Sequence, residues 1–198
     1  MKNLKSKIRL ATFLIGISVL LFAQCTMDGI EPIDNKLAVI DEIINTESSQ
    51  ENLRRSDQNQ LLAEMRRLTA KYQRLEIAEA DGYILDREHC VAHPELGGMG
   101  HHAPNFGIVD GEYDVFQPEV LVYEPMENGK MKLVAIEYVI MADLWSQETP
   151  PMFGEVEFDF VPANPMGLPF DNYQLHVWIW KHNPSGMYAP FNPTVSCL

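Results

Sequence analysis

The chain predicts an α+β fold in a single domain, with N-terminal helices followed by a mostly antiparallel β-sheet. Three observations predict it. From Ser56 onward, Leu61, Met65, Leu68, Tyr72 and Leu75 recur at intervals of four, three, four and three, the apolar stripe of a helix. Two β-rich runs, Val120–Tyr123 and Met131–Met141, flank Asn128-Gly129, a strong hairpin signal. Near the end, Tyr173, Leu175, Val177 and Ile179 alternate with Gln174, His176, Trp178 and Trp180, a strand period of two.

In chain order, the first nine residues carry Lys2, Lys5, Lys7 and Arg9 and no acid, and Leu10 to Phe22 is almost wholly apolar. That pattern reads as an export signal, too short for an ordinary membrane span. It ends at Phe22-Ala23-Gln24-Cys25, which resembles the cleavage box of bacterial lipoproteins, with Gln24 where such a box has a small residue. The expected layout is a lipoprotein signal peptide over 1–24 and a tether over 25–34. A helical segment follows over 35–82, then an antiparallel β domain over 83–198. Cys25, lipidated, would hold the protein on a membrane in the bacterial cell envelope, periplasmic or surface-exposed.

Removing residues 1–24 strips four bases and takes the formal charge from −13 to −17. So acidic a surface repels phosphate backbones, and no nucleic-acid partner is expected. With Cys25 lipidated, Cys90 and Cys197 remain. In an oxidising compartment they have one possible pairing, a disulfide closing a loop of 107 residues. Such a bridge would tie the end of the chain to the residues just before Gly97-Gly98-Met99-Gly100-His101-His102.

Asn35 is the expected cap of a first helix carrying Leu37, Ile40, Ile43 and Ile44, and polar Thr46–Glu51 is expected to break it. The second helix should stop at Asp81-Gly82. Tyr83–Leu85 reads as a short strand, and His89 to His102 as a glycine-rich loop. His89 and His93 there are surface histidines, because Pro94 argues against a helix that would align them. A two-residue turn at Asn128-Gly129 pairs Glu124 with Leu133 and Val120 with Glu137. Val156, Phe158 and Phe160 alternate with Glu155, Glu157 and Asp159, as in an edge strand.

Glu137 is the most anomalous residue, a carboxylate on a strand face otherwise made of Met131, Leu133, Ala135, Val139 and Met141. Burying it demands a metal, a base, a histidine or its own proton; the structural alternative is a partner such as Arg87. Glu124 shares the expected face, but about 13 Å along the strand at ~3.3 Å per residue. His176, beside Trp178 and Trp180, and His102, in the glycine stretch, are the candidate co-ligands once the disulfide draws the two segments together. Two histidines and a carboxylate suit zinc, iron or manganese. A copper reading from Met99, Met187 and nearby histidines is weaker, since scattered methionines mostly fill cores. The GxSxG, Walker, dinucleotide-glycine and CxxC patterns are absent.

Cys90, GGMGHHAPN (97–105), PEVLVYEP (118–125), AIEYVI (135–140), LHVWIW (175–180), NPSGM (183–187) and NPTVSC (192–197) together resemble an uncharacterised family of exported bacterial proteins. The resemblance covers roughly residues 75 to 198. In that family the glycine stretch reads Gly-x-Met-Gly-x-His followed by an aromatic. This carries onto His102 rather than His101, and His101 and Ala103 depart from the family's usual residues. It implies export and the cysteine pair, and no activity.

The functional expectation is therefore a membrane-anchored exported protein holding a divalent metal through His102, Glu137 and His176. The alternative is a non-enzymatic module, either structural or binding a flat small-molecule ligand on Trp178 and Trp180, about 6–7 Å apart on one strand face.

Overall fold

The computed structural model describes residues 33–165 and 167–197, with side chains from Ile40 onward. The expected signal segment, Cys25 and the expected tether up to Pro32 lie outside the described residues.

Helix α1 runs unbroken over Ile33–Thr69, so neither the cap at Asn35 nor the break at Thr46–Glu51 is found. That polar stretch holds neither Gly nor Pro. Its side chains satisfy themselves along the helix: Ser49 Oγ donates to the Asn45 carbonyl at 2.7 Å, and Glu51 pairs with Arg55 one turn on. A 3₁₀ turn, Ala70–Gln73, leads through extended Arg74 into short α2, Leu75–Ala80. Gly82, at φ +96°, then ends the helical segment, with Tyr83 N–H donating to the Ala78 carbonyl. The compact body is Asn45–Leu198. In the preceding unit, Ile40, Ile43 and Ile44 are exposed. Among the described residues no helix is long and apolar enough to cross a membrane.

Six antiparallel strands form the main sheet: β1 (Cys90–His93), β2 (Gly97–Pro104), β3 (Val120–Pro125), β4 (Met131–Met141), β7 (Asp159–Val161) and β8 (Asn172–Val177). Their spatial order is β1-β2-β3-β4-β8-β7, while β5 (Met152–Phe153) and β6 (Val156–Glu157) pair apart. The architecture is α+β, as expected. Three strand expectations need correction. Tyr83–Leu85 is no strand, although Ile84 N–H donates to the Pro104 carbonyl. The glycine stretch is strand β2 rather than a loop, and the single edge strand expected over 155–160 is divided between β6 and β7.

The β3–β4 hairpin holds two offsets that cancel. Its loop has three residues, Glu127 to Gly129, because Met126 pairs with Lys130 and Gly129 takes φ +74°. Glu124 therefore faces Lys132 rather than Leu133. A β-bulge between Val122 and Tyr123 leaves Val134 as the extra residue and restores the expected pairing of Val120 with Glu137. The bulge also redistributes the faces. Leu133, Ile136, Tyr138 and Ile140 join Leu62 and Met65 of α1 in one core, whereas Val122, Val134 and Ala135 pack with Trp178 and Val195 in a second.

The chain end covers that second cluster. Asn192 exchanges two backbone hydrogen bonds with Gly98, and Cys90 and Cys197 are bonded, their Cα atoms 5.6 Å apart. The glycines of β2 make this close approach possible. A Cβ on Gly97 would meet Pro193 Cα at 2.4 Å, and one on Gly98 would meet Val195 at 2.9 Å.

Candidate metal centre

Glu137 sits mid-strand in β4, 4 % exposed. Sheet register brings both histidines to it. His176 on β8 lies directly opposite Glu137. On the other side Val120 of β3 faces Glu137, and His102 on β2 pairs with Val122 two positions away. His102 thus reaches diagonally over β3. Its backbone position depends on Gly100, at φ +111°, where a Cβ would stand 2.6 Å from the Tyr123 carbonyl.

The donor atoms of His102, Glu137 and His176 all lie within 4.8 Å of one another. Nε2 of His102 is 3.4 Å from Glu137 Oε2, and Nε2 of His176 is 3.6 Å from Oε1. Neither contact has the 2.7–3.2 Å length of a hydrogen bond. The buried His176 Nε2 has no hydrogen-bond partner among the described residues. The two rings meet edge-on, centroids 5.9 Å apart.

An ion about 2.1 Å from each donor sets neighbouring donors ~3.4 Å apart in a tetrahedral shell. The two histidine–carboxylate separations lie near that edge, each to a different oxygen of Glu137, while the full donor set spans up to 4.8 Å. The donors therefore suit a divalent transition ion by type and would have to draw in to hold it. A protonated Glu137 bonding to one imidazole would draw closer than either separation.

Burial raises the Glu137 carboxyl to about 8, and the nearby charge of Glu119 adds to the rise. Burial lowers His176 to about 3, with His102 contributing, and lowers His102 to about 4, with His101 contributing. Near neutral pH both imidazoles are therefore unprotonated, the form a metal requires, while Glu137 holds a proton that a bound ion would have to displace. His102 is the open edge of the group: 22 % of its side chain is exposed, against 3 % for His176.

The other candidates lie elsewhere. His101 turns to the Asp86 carbonyl, His89 pairs with Asp86, and His93 accepts the backbone N–H groups of Glu95 and Leu96. Arg87 pairs with Glu79 and leaves Glu137 alone, while Glu124 pairs with Lys181. Met187 packs against the helix-side core.

The tryptophan platform does not form, because Trp178 and Trp180 do not share a face. Strand β8 ends at Val177, and Ile179 N–H then bonds back to the Val177 carbonyl, a tight turn that splits the alternation. Trp178, 2 % exposed, packs in the tail-side cluster, stacked at 18° on His176 with centroids 6.5 Å apart. Trp180 packs on the helix side and donates to Thr69 Oγ1.

Glu119 is a second buried carboxylate that the sequence reading missed, because an acid at the start of a strand reads as solvated. Its Oε2 accepts the Val139 N–H at 3.1 Å, and burial raises it to about 8. Comparison with protein-family models, curated proteins and solved structures finds no match.

Proposed function

We propose that this chain is an exported, lipid-anchored bacterial envelope protein whose folded body holds one divalent transition ion, zinc, iron or manganese, through His102, Glu137 and His176. One observation carries the metal reading: three donors of ligand type converge within 4.8 Å on one sheet face, and the buried His176 nitrogen among them has no partner among the described residues. Envelope location and the lipid on Cys25 are supported by the export signal and by the family resemblance of residues 75–198.

Three protein ligands leave at least one coordination position for water or a small ligand, on the side where His102 reaches solvent. A bound ion would make that water more acidic or polarise a ligand oxygen. Trp178 supports His176 in this reading and does not serve as a ligand platform.

The test is melting with and without metal. An ion that binds only the folded state raises Tm by mass action. Protein purified without a histidine tag should lose several degrees of Tm to a chelator and regain them on addition of Zn²⁺ or Mn²⁺. His176→Ala and His102→Ala should abolish the response, and His182→Ala should retain it. An unchanged Tm in the wild type would assign the triad a structural role.

A further inference from the structure

We infer that the Cys90–Cys197 disulfide controls the affinity of the metal centre, making ion retention depend on the redox state of that bridge. This rests on the metal reading above and adds its regulation.

The mechanical connection is short. Cys90 lies on β1 opposite His101, the neighbour of ligand His102. Cys197 ends the segment that lies across β2, where Val195 sits above Gly98 and joins Trp178, Val122 and Ala135. Trp178 stacks on His176, and the same terminal segment holds its indole: Nε1 donates to the Ala189 carbonyl at 2.7 Å, and its backbone N–H donates to the Met187 carbonyl at 2.9 Å.

Two buried asparagines keep this segment folded as a unit. Asn183 donates to the Phe191 carbonyl, and Asn192 donates to the His182 carbonyl. The segment is further tied down by its two bonds to Trp178, by Gln58 donating to Tyr188 Oη at 2.7 Å, by the Gly98–Asn192 bridge and, at its end, by the disulfide. Cys197 is exposed and Cys90 half-buried, so a thiol can reach the bond. The ligands sit on β2, β4 and β8, whose pairing does not require the terminal segment.

A dithiol reductant would transfer two electrons and two protons, leaving two cysteine thiols and itself as a disulfide. The sheet and the three ligands would remain. The cover over Trp178 would loosen, and His176 would lose the stacked ring that fixes its orientation, which lowers ligand affinity as other losses of ligand support do.

The experiment measures Zn²⁺ affinity by competition with a chromophoric chelator on three samples. These are the oxidised wild type, the Cys90→Ser/Cys197→Ser variant, and Val195→Ala with the bridge intact. The serine variant carries the redox comparison because freed thiols bind zinc themselves. It should bind at least tenfold more weakly than the oxidised wild type, and Val195→Ala severalfold more weakly. Affinities within twofold across the three, with near-UV circular dichroism showing a folded serine variant, would overturn the inference and leave the metal centre standing. Should the serine variant not fold, an unchanged affinity in Val195→Ala overturns it. No zinc binding by oxidised wild type would instead sink the metal reading itself.

Discussion

The two faces of one sheet finish their polar groups in opposite ways. On the helix side three tyrosines of the core find backbone partners: Tyr83 donates to the Pro118 carbonyl, Tyr123 to Tyr72 and Tyr138 to Val115, and Tyr113 Oη is the exception, with no partner among the described residues. On the tail side, Glu137 meets two imidazoles at separations too long for a hydrogen bond, and His176 Nε2 has no partner among the described residues. The two buried carboxylates repeat the contrast. Glu119 accepts a backbone N–H, whereas burial and the charge of Glu119 both disfavour an ionised Glu137. Satisfied polar groups belong to a packed core. A convergent set left unsatisfied marks a place kept for something else.

The largest effect that sharpens this contrast lies on the helix side. Met65 is fully buried between α1 and the sheet. Met65→Ala should cost about 2–5 kcal/mol in urea unfolding, with metal affinity unchanged in the folded protein. A variant that stayed folded yet lost its ion would show that the two faces are not independent.

A smaller pair of effects should differ in sign. Without metal, Glu137→Leu removes an unpaired buried carboxyl and should raise stability by about 1–3 kcal/mol. Glu119→Leu leaves the Val139 N–H unpaired and should lower stability by a similar amount. Denaturation in excess chelator measures both. Destabilisation by both substitutions would erase the distinction between the carboxylates.

A weaker effect follows from proton linkage in the metal-free protein. His102 and His176 have depressed folded-state pKa values, so from about 3–4 up to about 6.5 these two groups bind more protons in the unfolded chain, and their own contribution to stability rises with pH over that range. Glu119 and Glu137 are raised to about 8, so the folded chain keeps protons that the unfolded chain has released. Their contribution is lost as pH rises from the ordinary carboxyl range through about 8. Above about 6.5 only the carboxyls act, and metal-free Tm should fall between pH 6.5 and 8. A saturating divalent ion should remove the Glu137 share of that fall. A Tm that rises over this interval without metal would contradict the assignment.

Much of this was readable in the sequence. The Asn-Gly hairpin and the period-two runs specify the sheet, and they place Glu137 opposite Val120, as observed. The cysteine count leaves one pairing, and the two cysteines are bonded. The bulge at Val134 was not readable, because Val134 and Ala135 are both apolar and alternation runs through them unmarked. For that reason Leu133 was assigned to the wrong face. The continuity of α1 was obscured by a polar stretch that stabilises itself through helix-spaced bonds. Trp178 and Trp180 continue the alternation of β8 by spacing alone, and only the backbone turn after Val177 separates them. The convergence of the two histidines depends on strand order β2-β3-β4-β8, which no local pattern encodes.

The most direct measurement is an anomalous-difference map from crystals of the oxidised protein grown with stoichiometric Zn²⁺, collected on both sides of the zinc absorption edge. A single strong peak is expected about 2.0–2.2 Å from Nε2 of His102, from Nε2 of His176 and from a carboxylate oxygen of Glu137, with at least one position open to solvent. A peak at other residues alone, or a triad bridged by hydrogen bonds in the presence of zinc, would contradict the metal centre.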